Sequence, residues 1–296
     1  MADSRITIWL LAARPKTLWA AVGPVMIGTA MAYGDLLPID WASFVSALTG
    51  ALLIQVGTNL ANDYFDYVKG TDTAHRIGPT RATQAGLISP EAMRRGYQIA
   101  FGLALLPGAY IIWRGGWPFI VIGALAIISG ILYTGGPRPL GYLGLGDLFV
   151  LIFFGPVAVG GTYYLHALEI TPSAIVAGLA PGLMSVAILA VNNLRDIDED
   201  RRAGKKTLAV RWGRGFARVE YLVCMLTAVF IIPMYFYGST HNRWFALVPL
   251  VIVTAGTPAI KTVFVATDGP SLNRVLGATG KLLLAFSVVF SLGWIL

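Results

Sequence analysis

The 296-residue chain has one cysteine, three histidines and 15 acidic residues, and only 12% of it is charged. A single cysteine excludes an intrachain disulfide. No His/Cys group has zinc-ligand spacing. Neither a phosphate-binding P-loop nor a dinucleotide-binding glycine pattern is present, and no Ser-His-Asp arrangement is evident. Soluble domains carry about 25% charge; with 56% hydrophobic residues, no soluble domain is left once the apolar runs are set aside. The net charge of +7 does not indicate nucleic acid, because the basic residues sit between apolar runs. The first residues are not a basic end leading into an apolar run, and Arg14-Pro15-Lys16 interrupts the chain just beyond them, so no cleavable signal peptide is expected.

What the chain does have is apolar length. Nine runs are expected to cross a bilayer as helices: residues 16–33, 41–61, 93–113, 117–133, 145–165, 172–192, 216–237, 244–266 and 275–296. The predicted fold class is an all-α multi-spanning membrane protein, a single transmembrane domain over residues 1–296. A β-barrel would show short alternating segments instead. With the N-terminus in the cytoplasm, twenty of the 22 Lys and Arg fall on the inner side and only Arg114 and Arg243 outside, as the positive-inside rule requires. Most tryptophans lie near span ends and read as interfacial anchors. Two inner connections, 62–92 and 193–215, are long and polar. Long connections in compact proteins commonly carry function, so the site is expected on the cytoplasmic face.

Those connections begin alike. The second span ends in TNLANDYFDYVKGTD, the sixth in AVNNLRDIDEDRRAGKK. Asn59 and Asp63, Asn62 and Asp66, and Asp196 and Asp200 are i, i+4 pairs, each on one helix face. A helix C-terminus is electrostatically the wrong place for carboxylates. The acids are therefore expected to hold a hard divalent cation, Mg²⁺, through Asn62, Asp66, Asp196 and Asp200. Mg²⁺ takes one or two carboxylates together with substrate phosphates, so a diphosphate substrate is expected. Lys69, Arg76 and Arg81 in the first connection are candidate phosphate ligands.

With these residues in view, NDYFDYVKGTD and NNLRDIDEDRRAGKKTLAVRWG resemble the UbiA superfamily of intramembrane prenyltransferases. The second motif of that family is intact in Asp196, Asp200, Gly204 and Lys205. The first departs from it: Asn62 and Asp66 match, but Gly70 stands at the next acidic place, with Asp72 two residues on as the substitute metal ligand. DTAHRIGPTRATQAG and YTGGPRPLGYLGLGD are similar to the branch that prenylates 1,4-dihydroxy-2-naphthoate in menaquinone synthesis. The resemblance implies about nine helices around a central cavity, embedded in a bacterial inner membrane. It implies a Mg²⁺-dependent transferase that joins a polyprenyl diphosphate to an aromatic acid with loss of CO₂. Arg138 and Lys205 then join Lys69, Arg76 and Arg81 as diphosphate ligands. Arg14 or Lys16 would meet the anionic acceptor, and Tyr64, Tyr67, Tyr133 or Tyr142 would shield an allylic cation. No obligate protein partner is evident. The competing readings are a prenyltransferase for another aromatic, such as 4-hydroxybenzoate, a chlorophyllide or a haem, and a transporter. Transporters place their sites near the midplane, whereas these acids gather at one face.

Overall fold

The structure, a computed structural model, describes residues 4–71, 78, 80–240 and 242–296. Among the described residues every regular element is helical. In chain order these are α1 (Arg5–Ala13), α2 (Trp19–Gly34), α3 (Trp41–Val68), α4 (Pro90–Gly115), α5 (Pro118–Leu132), α6 (Gly146–Phe153) and α7 (Pro156–Ala167). Beyond them come α8 (Pro172–Arg195), α9 (Ile197–Arg202), α10 (Leu208–Leu226), α11 (Ile232–Thr240), α12 (Trp244–Val265) and α13 (Gly269–Ile295).

Seven helical stretches among the described residues are long and apolar enough to cross a bilayer: α3, α4, α6 with α7, α8, α10 with α11, α12 and α13. The other two expected spans are occupied by α2 and α5, of 16 and 15 residues. At about 1.5 Å per residue these fall short of a hydrocarbon core about 30 Å thick.

Helix boundaries arise from local chemistry. Pro15 and the left-handed Arg14 (φ 55) separate α1 from α2, so α1 is a distinct helix that hydropathy does not predict. It presses Trp9 against Gly96 of α4. The expected fifth span is broken at Gly155, where φ −115 and ψ −111 precede Pro156. The break passes against Gly178 and Gly182 of α8, where an added Cβ would meet backbone atoms of Gly155 and Pro156. Small residues let backbones approach closely where apolar burial gives no driving force between helices in lipid.

α8 is buried along most of its length, packed on α10, α13 and α7. Its neighbours form the principal core, from Ile27 and Met31 of α2 to Phe286 and Phe290 of α13. α3 and α4 pack together with α1 as a second body around Leu60, Met93, Tyr97 and Phe101. α3 has 28 residues, about 42 Å at 1.5 Å each. That exceeds a hydrocarbon core of about 30 Å, and the last turns of the helix carry Asn62 and Asp66.

Candidate active site

The ends of α3 and of α8–α9 are built by the same cap. In a Schellman motif a left-handed residue just past the helix lets the next N–H return to a carbonyl in the last turn. At α3, Gly70 (φ 65) is that residue; its N–H reaches the Tyr67 carbonyl and the Thr71 N–H reaches Asp66. At α9, Gly204 (φ 73) plays the same part; its N–H reaches Arg201 and the Lys205 N–H reaches Asp200. The side chain after each glycine also folds back onto the same aspartate. Thr71 Oγ1 donates to Asp66 Oδ1 at 3.0 Å, and Lys205 Nζ lies 3.3 Å from Asp200 Oδ1. Gly70 is thus the cap glycine of the first motif rather than a missing acid. Asp72 and Arg76 lie outside the described residues.

Neither cap glycine has a heavy atom within 4 Å of an added Cβ, so only backbone conformation argues for glycine there. Gly204→Ala should cost stability only about 1–2 kcal/mol, the left-handed penalty, yet raise the KM for the diphosphate substrate expected from sequence by re-aiming Lys205. Steady-state kinetics beside a melting curve check this; a KM unchanged within about twofold refutes it.

Both ends open on one cavity of about 630 Å³. Its mouth is lined by Asn62, Asp66, Arg81, Asn192, Asn193, Asp196, Asp200 and Lys205, and its depth by apolar side chains such as Ile54, Ile111, Phe119, Phe149 and Phe153. Lys205 Nζ stands between the two ends, 3.7 Å from Asp66 Oδ1 and 3.3 Å from Asp200 Oδ1. The Arg81 guanidinium donates to Asp66 Oδ2 at 2.8 Å. Arg195 pairs with Asp196. Thr134 Oγ1 donates to Asn62 Oδ1 at 2.7 Å. Burial pushes the Asp200 carboxyl up to about 6 although Lys205 opposes the shift. Burial works against the Lys205 charge too, but the facing carboxylates of Asp66 and Asp200 outweigh it and raise its pKa.

This geometry corrects one argument from sequence. Carboxylates placed at helix C-termini imply that a metal cation is required; instead Arg81, Lys205 and Arg195 pair with them. The case for a metal rests on donor chemistry alone. Carboxylate and amide oxygens from both helix ends converge on one mouth, a hard donor set that suits Mg²⁺. Among the described residues no three His, Cys, Asp or Glu side chains form a ready cage.

The expected site residues divide. Asn62, Asp66, Asp196, Asp200, Arg81, Lys205, Arg14, Tyr133 and Tyr142 line the cavity. Tyr64 does not: two residues from both Asn62 and Asp66, it points away at about 100° per residue and packs on Phe65 and Tyr97. Tyr67 is exposed. Lys16 sits in a 3₁₀ turn, and its side chain runs along Gly277 of α13. Arg138 is exposed on the 134–145 connection. The Lys69 ammonium donates to the carbonyls of Thr134 and Gly136, at 2.6 and 2.9 Å, and so anchors that connection instead of lining the cavity. Tyr142 lines the cavity, but its ring meets the ammonium groups of Lys69 and Lys205, with Nζ 4.9 and 5.3 Å from its centroid.

Three supporting roles go beyond the expectations from sequence. Asp63 accepts the Ala82 and Thr83 N–H groups at 3.0 and 3.2 Å and so sets Arg81 beside Asp66. Asn59 donates to the Ala13 carbonyl at 2.9 Å, holding the segment that carries Arg14. Arg195, an inner-loop charge by sequence, is the partner of Asp196. Asp63 and Asn59 do carry a signal, as polar residues on an apolar helix; for Arg195 the signal is hidden by adjacency to its partner.

Residues 21–294 match the UbiA prenyltransferase family. The 1,4-dihydroxy-2-naphthoate octaprenyltransferase of Escherichia coli (strain K12) is 38% identical, over 98% of this chain and 96% of that protein. The protein of the same name from Mycobacterium tuberculosis is 36% identical, over 95% and 94%. Among solved structures, a UbiA homolog from Archaeoglobus fulgidus bound to GPP and Mg²⁺ superposes with a TM-score of 0.68, covering 97% of this chain and 99% of that one at 16% identity. At that identity the likeness speaks for the fold alone, while the sequence matches over nearly the whole length carry the assignment: the chain belongs to the UbiA prenyltransferase family.

Proposed function

We propose that this chain transfers a polyprenyl group from polyprenyl diphosphate to 1,4-dihydroxy-2-naphthoate with loss of CO₂, giving demethylmenaquinol in menaquinone biosynthesis. The observation that carries the proposal is the meeting of two acidic helix ends at one mouth above an apolar chamber, with Lys205 between them. The relatives named above support the choice of acceptor.

In this reading the prenyl tail lies along the apolar depth and the diphosphate at the mouth. Asn62 and Asp66 on one side, and Asp196 and Asp200 on the other, would hold Mg²⁺, with Asp72 as a further ligand. When bound, the metal supplies charge stabilisation to the leaving diphosphate. Arg81 and Lys205 turn from their carboxylates toward the diphosphate oxygens, with Arg76 as a third donor. Positive charge there stabilises the negative charge that builds as the C–O bond breaks. Tyr133 presents its ring to the allylic cation left behind. Arg14, held in a left-handed conformation at the mouth, receives the acceptor carboxylate. The ring forms the new C–C bond and releases its carboxylate as CO₂, and the electron pair of the broken bond restores the aromatic ring. The apolar lining of the chamber disfavours water beside the cation.

The same reading takes α2 and α5 as the two remaining bilayer crossings, which makes nine. It puts the N-terminus and the mouth on the cytoplasmic side of a bacterial inner membrane. The location of twenty of the 22 basic residues supports that orientation.

Purified protein given dihydroxynaphthoate, a polyprenyl diphosphate and Mg²⁺ should yield prenylated naphthol and CO₂ in equal amounts. Chelation by EDTA should abolish both, and added Mg²⁺ should restore them. Product formed at full rate in EDTA overturns the metal assignment. Rejection of dihydroxynaphthoate with turnover of another aromatic overturns the acceptor.

A further inference from the structure

We propose that Arg195 is a positioning residue for Asp196, braced from the last long helix by Asn273. The proposal rests on the metal-dependent reading above and adds to it a residue that touches neither substrate.

Neighbouring residues on a helix point about 100° apart, so an arginine cannot ordinarily grip the next side chain with both arms. Here α8 stops at Arg195, and Asp196, at φ −93 and ψ 7, occupies the junction before α9. The junction lets the carboxylate fold back. Arg195 Nε donates to Asp196 Oδ1 at 2.6 Å and Nη2 to Oδ2 at 2.5 Å. Nη2 also donates to Asn192 Oδ1 at 2.8 Å, and Nη1 donates to Asn273 Oδ1 of α13 at 2.5 Å. Side-chain exposure is 1% for Arg195 and 6% for Asp196, so the pair is buried.

A buried ion pair is often no more stabilising than apolar residues of the same volume, so stability is a weak reason for this one. Orientation is a better reason. A carboxylate offers about four lone-pair directions; the arginine fork engages both Asp196 oxygens and so fixes the plane in which that carboxylate faces a cation at the mouth. Lys205 differs. It reaches its carboxylates on a flexible stem, free to turn to another anion, whereas Arg195 is tied to Asn192 and to α13 besides its own aspartate.

The test is Mn²⁺ binding to the full-length protein in detergent, with no prenyl substrate, read by electron paramagnetic resonance. Loss of a group that orients a metal ligand costs about 10–100-fold in affinity. Arg195→Gln and Arg195→Lys should both weaken Mn²⁺ binding by at least about tenfold, because lysine restores charge but not the two-armed grip. Asn273→Ala should weaken it less. In turnover, the Mg²⁺ concentration for half-maximal rate should rise in all three, with an unchanged KM for polyprenyl diphosphate at saturating Mg²⁺.

Equal or tighter Mn²⁺ binding in Arg195→Gln overturns the proposal, because Arg195 is then a competing counter-ion and not a brace. Where Arg195→Gln does not fold, Asn273→Ala decides, since it keeps the ion pair; unchanged affinity there overturns the brace. If the wild-type protein itself binds no Mn²⁺, the brace falls, while the metal assignment is decided separately by the EDTA dependence of turnover. Variants unchanged beside a binding wild type sink the brace alone.

Discussion

Asp66→Asn should lower turnover by at least about a hundredfold, the usual consequence of removing one preorganised charge from a site where charge develops. Asp66 is the point at which both halves of the mouth meet. Its Oδ2 accepts from Arg81, and its Oδ1 faces Thr71 and Lys205. Asparagine keeps the shape and can still accept from Thr71, but it cannot balance two cations or bind a metal as a carboxylate does. Arg81 and Lys205 would then sit beside a neutral group in a buried pocket, and the diphosphate would meet a mouth of altered charge. The check is single-turnover kinetics on protein whose melting temperature is within a few degrees of wild type. Turnover within about threefold of wild type would remove Asp66 from the catalytic machinery.

A second large effect belongs to packing. A Cβ at Gly28 of α2 would lie 2.5 Å from the Val159 carbonyl oxygen, 2.8 Å from Thr162 Cβ and 3.1 Å from the Tyr163 nitrogen. Two of these are backbone atoms of α7, which cannot rotate out of the way. Gly28→Ala should therefore destabilise by about 1–3 kcal/mol or more, the range for overpacking. Because Val157, Ala158 and Gly161 of α7 line the chamber, turnover should fall as the two helices separate. Gly102 of α4 is the control: nothing lies within 4 Å of its Cβ position, and alanine there should be neutral or stabilising by up to about 1 kcal/mol. Thermal unfolding in detergent distinguishes them. Equal melting temperatures for the two variants would refute the close-packed seam between α2 and α7.

Much of the site is readable in one dimension because helices repeat. Asn62 with Asp66, and Asp196 with Asp200, can be assigned to common faces from i, i+4 spacing alone. The same arithmetic, carried one step further, turns Tyr64 away from that face, and the structure places it in an aromatic cluster with Phe65 and Tyr97. Gly70 is harder. As a position in an acidic motif it looks like a defect; as the residue at φ 65 that ends α3 it is the counterpart of Gly204. The likeness between the two motifs is therefore deeper than shared acids, since each ends in the same turn with the next side chain returned to its aspartate.

Lys69 and Lys205 show where reading by residue type fails. Both are lysines in inner connections beside an acidic motif, and by type both read as phosphate ligands. Lys69 is consumed by the carbonyls of Thr134 and Gly136, while Lys205 faces the cavity. Their order about the cap glycine differs, Lys69 before Gly70 and Lys205 after Gly204, but the carbonyls that hold Lys69 belong to a connection more than about sixty residues away in the chain.

Residue order alone establishes the membrane setting, the helical class and the two acidic helix ends. Each comes from hydropathy, periodicity or charge counted along the chain, properties that need no distant partner. Which cation pairs with which acid, that Asp63 and Asn59 serve as anchors, and that Arg195 grips its own neighbour through a helix break and reaches Asn273 across to α13 became visible in three dimensions only. Most of those are matters of distance between segments far apart in sequence, and the Arg195–Asp196 grip depends on where a helix breaks. Electrostatic pairing and hydrogen bonding act over a few ångströms, so they are settled only when packing has brought the segments together.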